Sequence, residues 1–137
     1  MSTHYHAIVW IDHHEAKVFF FDDDDVQAER IRSSNPHVHL HHHANAGDSG
    51  HVTTDTAFLE RVAAALGTAR AILITGPAGA KKELQAYMER KHPALAQCIS
   101  GVQTLSHTSD GALIDLARRF FKADDRMHSQ TNRPRQP

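Results

Sequence analysis

The chain has one cysteine, Cys98, in 137 residues. A lone thiol excludes an internal disulfide and fits a reducing compartment. With Leu95 and Ile99 close by in sequence, Cys98 reads as a small core residue rather than a nucleophile. No apolar run approaches the ~18 residues a membrane-spanning helix needs. The N-terminal MSTHYHAIVWID lacks the charged-then-apolar order of a secretory signal. A cytoplasmic protein without a membrane partner is therefore expected. No internal repeat is visible. Neither sign of charge dominates, the formal net charge being −1, so the total does not point to a polyanionic or polycationic partner.

What is present is unevenly distributed. Residues 1–60 hold 3 Lys/Arg against 10 Asp/Glu, whereas residues 61–137 hold 12 against 6. A basic second half either meets an anionic partner or attracts the acidic first half within the fold. Thirteen histidines occur, six of them between His37 and His51. Hydrophobic residues make up 40% of the chain, enough for one domain with its own core.

The first 35 residues carry short apolar, β-favouring runs bounded by polar clusters, which predicts strands. Ala7 to Ile11 is the first; DHHE turns the chain; AKVFFFD from Ala16 is the second. The aspartates Asp22 to Asp25 mark the next turn, and a third strand covers Gln27 to Ser33. Strands this close in sequence pair as antiparallel hairpins. After Asn35-Pro36, the long polar stretch HVHLHHHANAGDSGHVTTD reads as an exposed loop, a length associated with function or mobility. Thr54 or Asp55 caps a first helix running to Leu66, with Phe58, Leu59, Val62 and Leu66 on one stripe and Gly67 as its stop.

Ala71 to Thr75 is apolar without alternation, as a strand covered on both faces should be. Gly76 is expected to cap a second helix with Pro77 at its first position, burying Leu84, Tyr87 and Met88 and ending at Pro93. Ile99 to Leu105 is a fifth strand. Ser109 or Asp110 caps a last helix with Leu113, Ala117, Phe120 and Phe121 on its apolar side. Three hairpin strands followed by αβαβα give an α/β, RNase H-like three-layer domain. Its mixed five-stranded sheet has the order 3-2-1-4-5 and carries three helices. The domain is expected to span residues 1–127, with 128–137 a disordered tail.

Three places carry chemistry. The turn in AILITGPAGAKKEL presents a helix start with Lys81 and Lys82 behind it, a setting that favours phosphate. It lacks the second Gly-Lys-Ser/Thr of a P-loop, so a turn with solvated lysines is the simpler reading. In the histidine stretch, an extended chain places His37, His39 and His41 on one face, where they could ligate Zn²⁺ or Ni²⁺. The same imidazoles could instead stack on nucleobases or donate to phosphates. A carboxylate nuclease would draw on Asp12, Glu60 and Asp110 or Asp115. A partner near the end of the fourth strand, where the sequence reads Thr75-Gly76-Pro77, is missing from that set. Asp12 more simply forms a turn, Glu60 sits on a solvated helix face and Asp110 is a cap.

AILITGPAGAKKEL and GVQTLSHTSDGALIDLARRFF, in this order and with the histidine stretch ahead of the first helix, resemble one family. It comprises the central domain of archaeal and eukaryotic class 1 peptide-release factors and of Pelota, and includes small stand-alone bacterial relatives known as translational machinery proteins. The resemblance runs from Ala7 to Met127. Release factors carry Gly-Gly-Gln where this chain has ANAGDSGH; there is no Gly-Gly here and no glutamine between Gln27 and Gln85. The resemblance therefore implies a non-catalytic, ribosome- or RNA-associated domain closer to Pelota, without cofactor or small-molecule substrate. Lys81, Lys82, Arg118, Arg119, Lys122 and Arg126 would contact phosphates of rRNA or tRNA, and His41, His42, His43 and His51 would probe the same partner. Two other readings stand beside it: a Zn or Ni protein working through His37, His39 and His41, and a carboxylate nuclease or peptidyl-tRNA hydrolase.

Overall fold

The computed structural model of the chain describes residues 6–22, 25–33 and 54–132, with side chains through Ala123 in the last helix. The described residues form five strands, β1 His6–Ile11, β2 Glu15–Phe21, β3 Val26–Arg32, β4 Ala71–Gly76 and β5 Ile99–Thr104. They also form four helices, α1 Thr56–Ala65, α2 Ala80–Lys91, α3 Pro93–Ala96 and α4 Asp110–Asn132. The sheet order is β3-β2-β1-β4-β5. β1, β2 and β3 pair antiparallel, and β4 joins both β1 and β5 in parallel. This is the expected α/β sheet.

Local chemistry explains the hairpins. Asp12 ends β1, and its Oδ1 accepts from the backbone N–H groups of His14 and Glu15, both at 2.8 Å. A short acidic side chain can thus close a turn with its own backbone. Asp22 repeats the device: its Oδ1 accepts from Asp25 N–H at 2.9 Å. β1 and β4 lie in the middle of the sheet and every residue from Ala7 to Ile11 and from Ala71 to Gly76 is buried. Thr75 there donates its hydroxyl to Val9 O at 2.9 Å, which offsets the cost of burying it.

The described residues form two compact units, one ending at His107 and the other beginning at Thr108. In the first, Ala7, Val9, Ile11, Val18, Ile72 and Ile74 of one sheet face pack with Phe58, Leu59 and Val62 of α1 and Leu84, Tyr87 and Met88 of α2. Ile8, Trp10, Phe19 and Leu73, on the alternate positions of their strands, are buried as well. The second unit is α4. Ser109 caps it by accepting from Ala112 N–H at 3.1 Å, and Leu113, Ala117 and Phe121 are its buried stripe. Phe120 is half-buried beside Phe121 rather than part of that stripe. Residues 128–132, placed in a tail by sequence, are helical here, and 133–137 lie outside the described residues.

Two boundaries differ from expectation. α2 begins at Ala80 behind an N-cap at Gly79, three residues later than a Gly76 cap with Pro77 first. Gly76 is instead the last residue of β4. An added Cβ there would fall well inside contact distance of Ile11 O, so β1 and β4 close together only because no side chain intervenes. The second difference is α3. Pro93 does end α2, but the same proline occupies the first turn of a new four-residue helix, because a missing N–H costs nothing at a helix start.

Candidate nucleic-acid interface

The C-terminal ends of β1 and β4, together with the start of α2, gather polar groups at one end of the sheet. Trp10 is fully buried in β1, and its indole N–H donates to Leu105 O at 3.1 Å and Ser106 O at 3.3 Å, fixing the segment after β5. The His107 ring lies 4.3 Å from the Trp10 ring, and its Nε2 is 3.9 Å from Asp12 Oδ2. His107 is 66% exposed. The imidazole therefore sits on an aromatic floor at the rim of the sheet, open to solvent and close to a carboxylate.

Both ends of the histidine-bearing stretch are fastened at this rim. On the departing side, Ser33 N–H donates to His14 O at 2.8 Å and Arg61 donates to Arg32 O at 2.8 Å. On the returning side, Thr54 is 2% exposed. Its N–H donates to Glu83 Oε1 at 2.7 Å, and its hydroxyl shares a 3.0 Å hydrogen bond with His13 Nδ1. The β1–β2 turn and α2 thus hold the base of the insertion. The sequence had Thr54 only as a possible helix cap; Asp55 has that role, accepting from Ala57 N–H at 3.1 Å. His37, His39, His41, His42, His43 and His51 all lie outside the described residues.

The lysine pair separates. Lys82 is exposed at the start of α2. Lys81 is 6% exposed, and its ammonium donates to Ala78 O at 2.6 Å. Burial, reinforced by the charge of Lys82, pushes its pKa below the usual lysine value, because a desolvated ammonium is costly. The side chain of Lys81, expected from sequence to contact phosphate, is turned inward and donates to the turn it follows. On α4, Arg119 is 72% exposed and pairs with Asp115 at 2.9 Å. Lys122 is exposed, and Arg118 is half-buried. Arg126 is helical, in the part of α4 whose side chains are not described.

The carboxylates considered for a nuclease have other work. Asp12 closes its turn, and Asp115 holds Arg119. Glu60 does not sit on a merely solvated face: its Oε1 accepts from Tyr87 Oη at 2.5 Å and bonds His92 Nε2 at 2.8 Å. An ionised carboxylate only accepts, so the proton of this bond rests on Nε2. These bonds hold the Glu60 carboxyl below the usual range, Tyr87 contributing most, and raise the Tyr87 phenol in turn. A lowered carboxylate pKa stabilises the fold above the unfolded value and loses that contribution as pH falls through the folded value. Glu60→Gln is therefore expected to lower Tm at pH 7, with the difference from wild type shrinking toward zero below about pH 4. Thermal melts at pH 7 and pH 3 check it. Among the described residues, no three His, Cys, Asp or Glu side chains assemble a metal site.

Compared by sequence, the chain matches no family model and no curated protein. Compared by structure, it is similar to several translation factors. Pelota of Archaeoglobus fulgidus superposes with a TM-score of 0.59 at 17% identity, over 83% of this chain and 30% of that one. The archaeal translation termination factor aRF1 gives 0.55 at 12%, over 92% and 39%. Dom34 of S. cerevisiae, a translation termination-like factor involved in RNA quality control and interacting with Hbs1, gives 0.55 at 12%, over 95% and 36%. The likeness is one of fold. The chain spans between 30% and 39% of the length of these three proteins.

Proposed function

We propose that this chain is a non-catalytic translation factor-like domain that associates with the ribosome through rRNA or tRNA, in the cytoplasm. The observation that supports the reading is the likeness of fold to Pelota and aRF1, with TM-scores of 0.59 and 0.55 over 83% and 92% of the chain. The charge distribution supports it, with 12 Lys/Arg against 6 Asp/Glu after residue 60. Exposed Lys82 on α2, and Arg119 and Lys122 on α4, are the cations we assign to phosphates, with Arg118 and Arg126 beside the latter two on the helix. Phosphate contacts fix position rather than sequence, and no sequence-specific target is implied. His41, His42, His43 and His51 belong to a segment whose two ends are fastened at the sheet rim, and we assign them to the same partner.

The absence of Gly-Gly-Gln from the sequence supports a binding role without hydrolysis. No catalytic residue is assigned, and no cofactor. Titrating isolated ribosomes with the full chain tests the reading. Binding is expected at low salt, with log affinity falling linearly as log salt rises, and release of peptide from peptidyl-tRNA should stay at background. No binding at about 50 mM salt, or binding indifferent to salt, would overturn it.

A further inference from the structure

The end of α1 and the turn after it border a cleft of about 750 Å³ whose other side is α3, a size within the range of small-molecule sites. Ala63 and Ala69 line it from the first side, Pro93 and Leu95 from the second. The space exists because the neighbouring side chains are small: Ala64 and Ala94, both exposed, add only a methyl group each. Backbone hydrogen bonds hold both sides. Ala69 N–H donates to Leu66 O at 3.0 Å, Cys98 N–H to Leu95 O at 2.9 Å and Ile72 N–H to Cys98 O at 2.9 Å. The cleft is therefore formed ahead of any ligand, and filling it costs little ordering of the protein.

The charge of the cleft has one sign. No Asp or Glu lines it among the described residues. Of its two basic residues, His92 is engaged through Nε2 with Glu60 at 2.8 Å. Arg70 is exposed and has no ion-pair partner among the described residues. We propose that the cleft binds a small amphipathic carboxylate, with its hydrocarbon body against Ala63, Ala69, Pro93 and Leu95, its head group on the Arg70 guanidinium, and the Thr68 hydroxyl as a second donor. The ligand class follows from complementarity. Apolar walls take hydrocarbon out of water, and a guanidinium fork matches a carboxylate through two parallel hydrogen bonds. One unpaired cation balances one negative charge, which favours a carboxylate over a phosphate dianion. An alkylammonium of the same length would meet Arg70 as a like charge. This proposal does not depend on the ribosomal reading.

Octanoate is the probe. The readout is the rate at which iodoacetamide alkylates Cys98, the chain's one thiol, which is half-buried on the cleft. Octanoate is expected to slow alkylation saturably, with half the effect near ~1 mM, and octylammonium to need about tenfold more or fail. Arg70→Gln should raise the half-effect concentration of octanoate about tenfold and leave Tm unchanged, since the side chain is exposed. Ala64→Phe fills the cleft and should abolish protection by octanoate; Ala94→Phe repeats the test should the first variant melt early. No saturable protection up to about 20 mM, equal protection by octylammonium, or wild-type protection in Arg70→Gln would overturn the proposal. Protection that rises with protein concentration alone would assign the cleft to a second copy of the chain and overturn it as well.

Discussion

Gly76→Ala is expected to cost about 3–5 kcal/mol and to lower Tm by roughly 10–20 °C. The new methyl group would overlap Ile11 O, a backbone atom at the end of a central strand. That oxygen cannot yield like the tip of a flexible side chain, since Ile11 is held by β2 and neighbours the turn closed by Asp12. Relief would require prising β4 from β1 where the insertion's ends, Trp10 and the start of α2 converge. Gly79→Ala is the control. It lies three residues on, with nothing within 4 Å of an added Cβ, and should change stability by no more than about 0.5 kcal/mol. Equal Tm losses for the two variants would mean that close approach is not what Gly76 provides.

The second large effect concerns binding. Replacing Lys82, Arg119 and Lys122 together by alanine should weaken ribosome association by roughly ten- to a hundredfold at physiological salt. It should also reduce the slope of log affinity against log salt by about 2, since each phosphate left without its cation removes about 0.7 on a single strand. Stability should hardly move, because all three side chains are exposed and surface pairs such as Asp115–Arg119 contribute little. Lys81→Met gives the contrast. Its ammonium is committed to Ala78 O, so the salt slope should stay as in wild type. Fluorescence anisotropy with a labelled chain, at four or five salt concentrations, separates the two.

Much of this molecule is legible in its sequence, and the exceptions share a cause. Continuous apolar runs mark β1 and β4 because both faces of a central strand are covered, and aspartates mark the hairpin turns because each closes its own loop. The start of α2 is misplaced because Gly-Pro is a strong local cap signal, while the demand on Gly76 comes from Ile11, sixty-five positions away in sequence. The inward turn of Lys81 had a readable sign: it continues the Leu84–Met88 stripe backward at helical spacing, and a charged residue on an apolar stripe is easily taken for solvated. The partners of Glu60 left no such sign. Tyr87 and His92 are 27 and 32 positions distant, and only the packing of α1 against α2 joins them. The anchors of Thr54 on His13 and Glu83 are hidden for the same reason.

Fractionating cell lysate on sucrose gradients, at low and at high salt, tests the ribosomal reading most directly. The chain is expected in the ribosomal fractions at low salt and at the top of the gradient once salt competes for the phosphates. Its confinement to the top of the gradient under both conditions would contradict the reading.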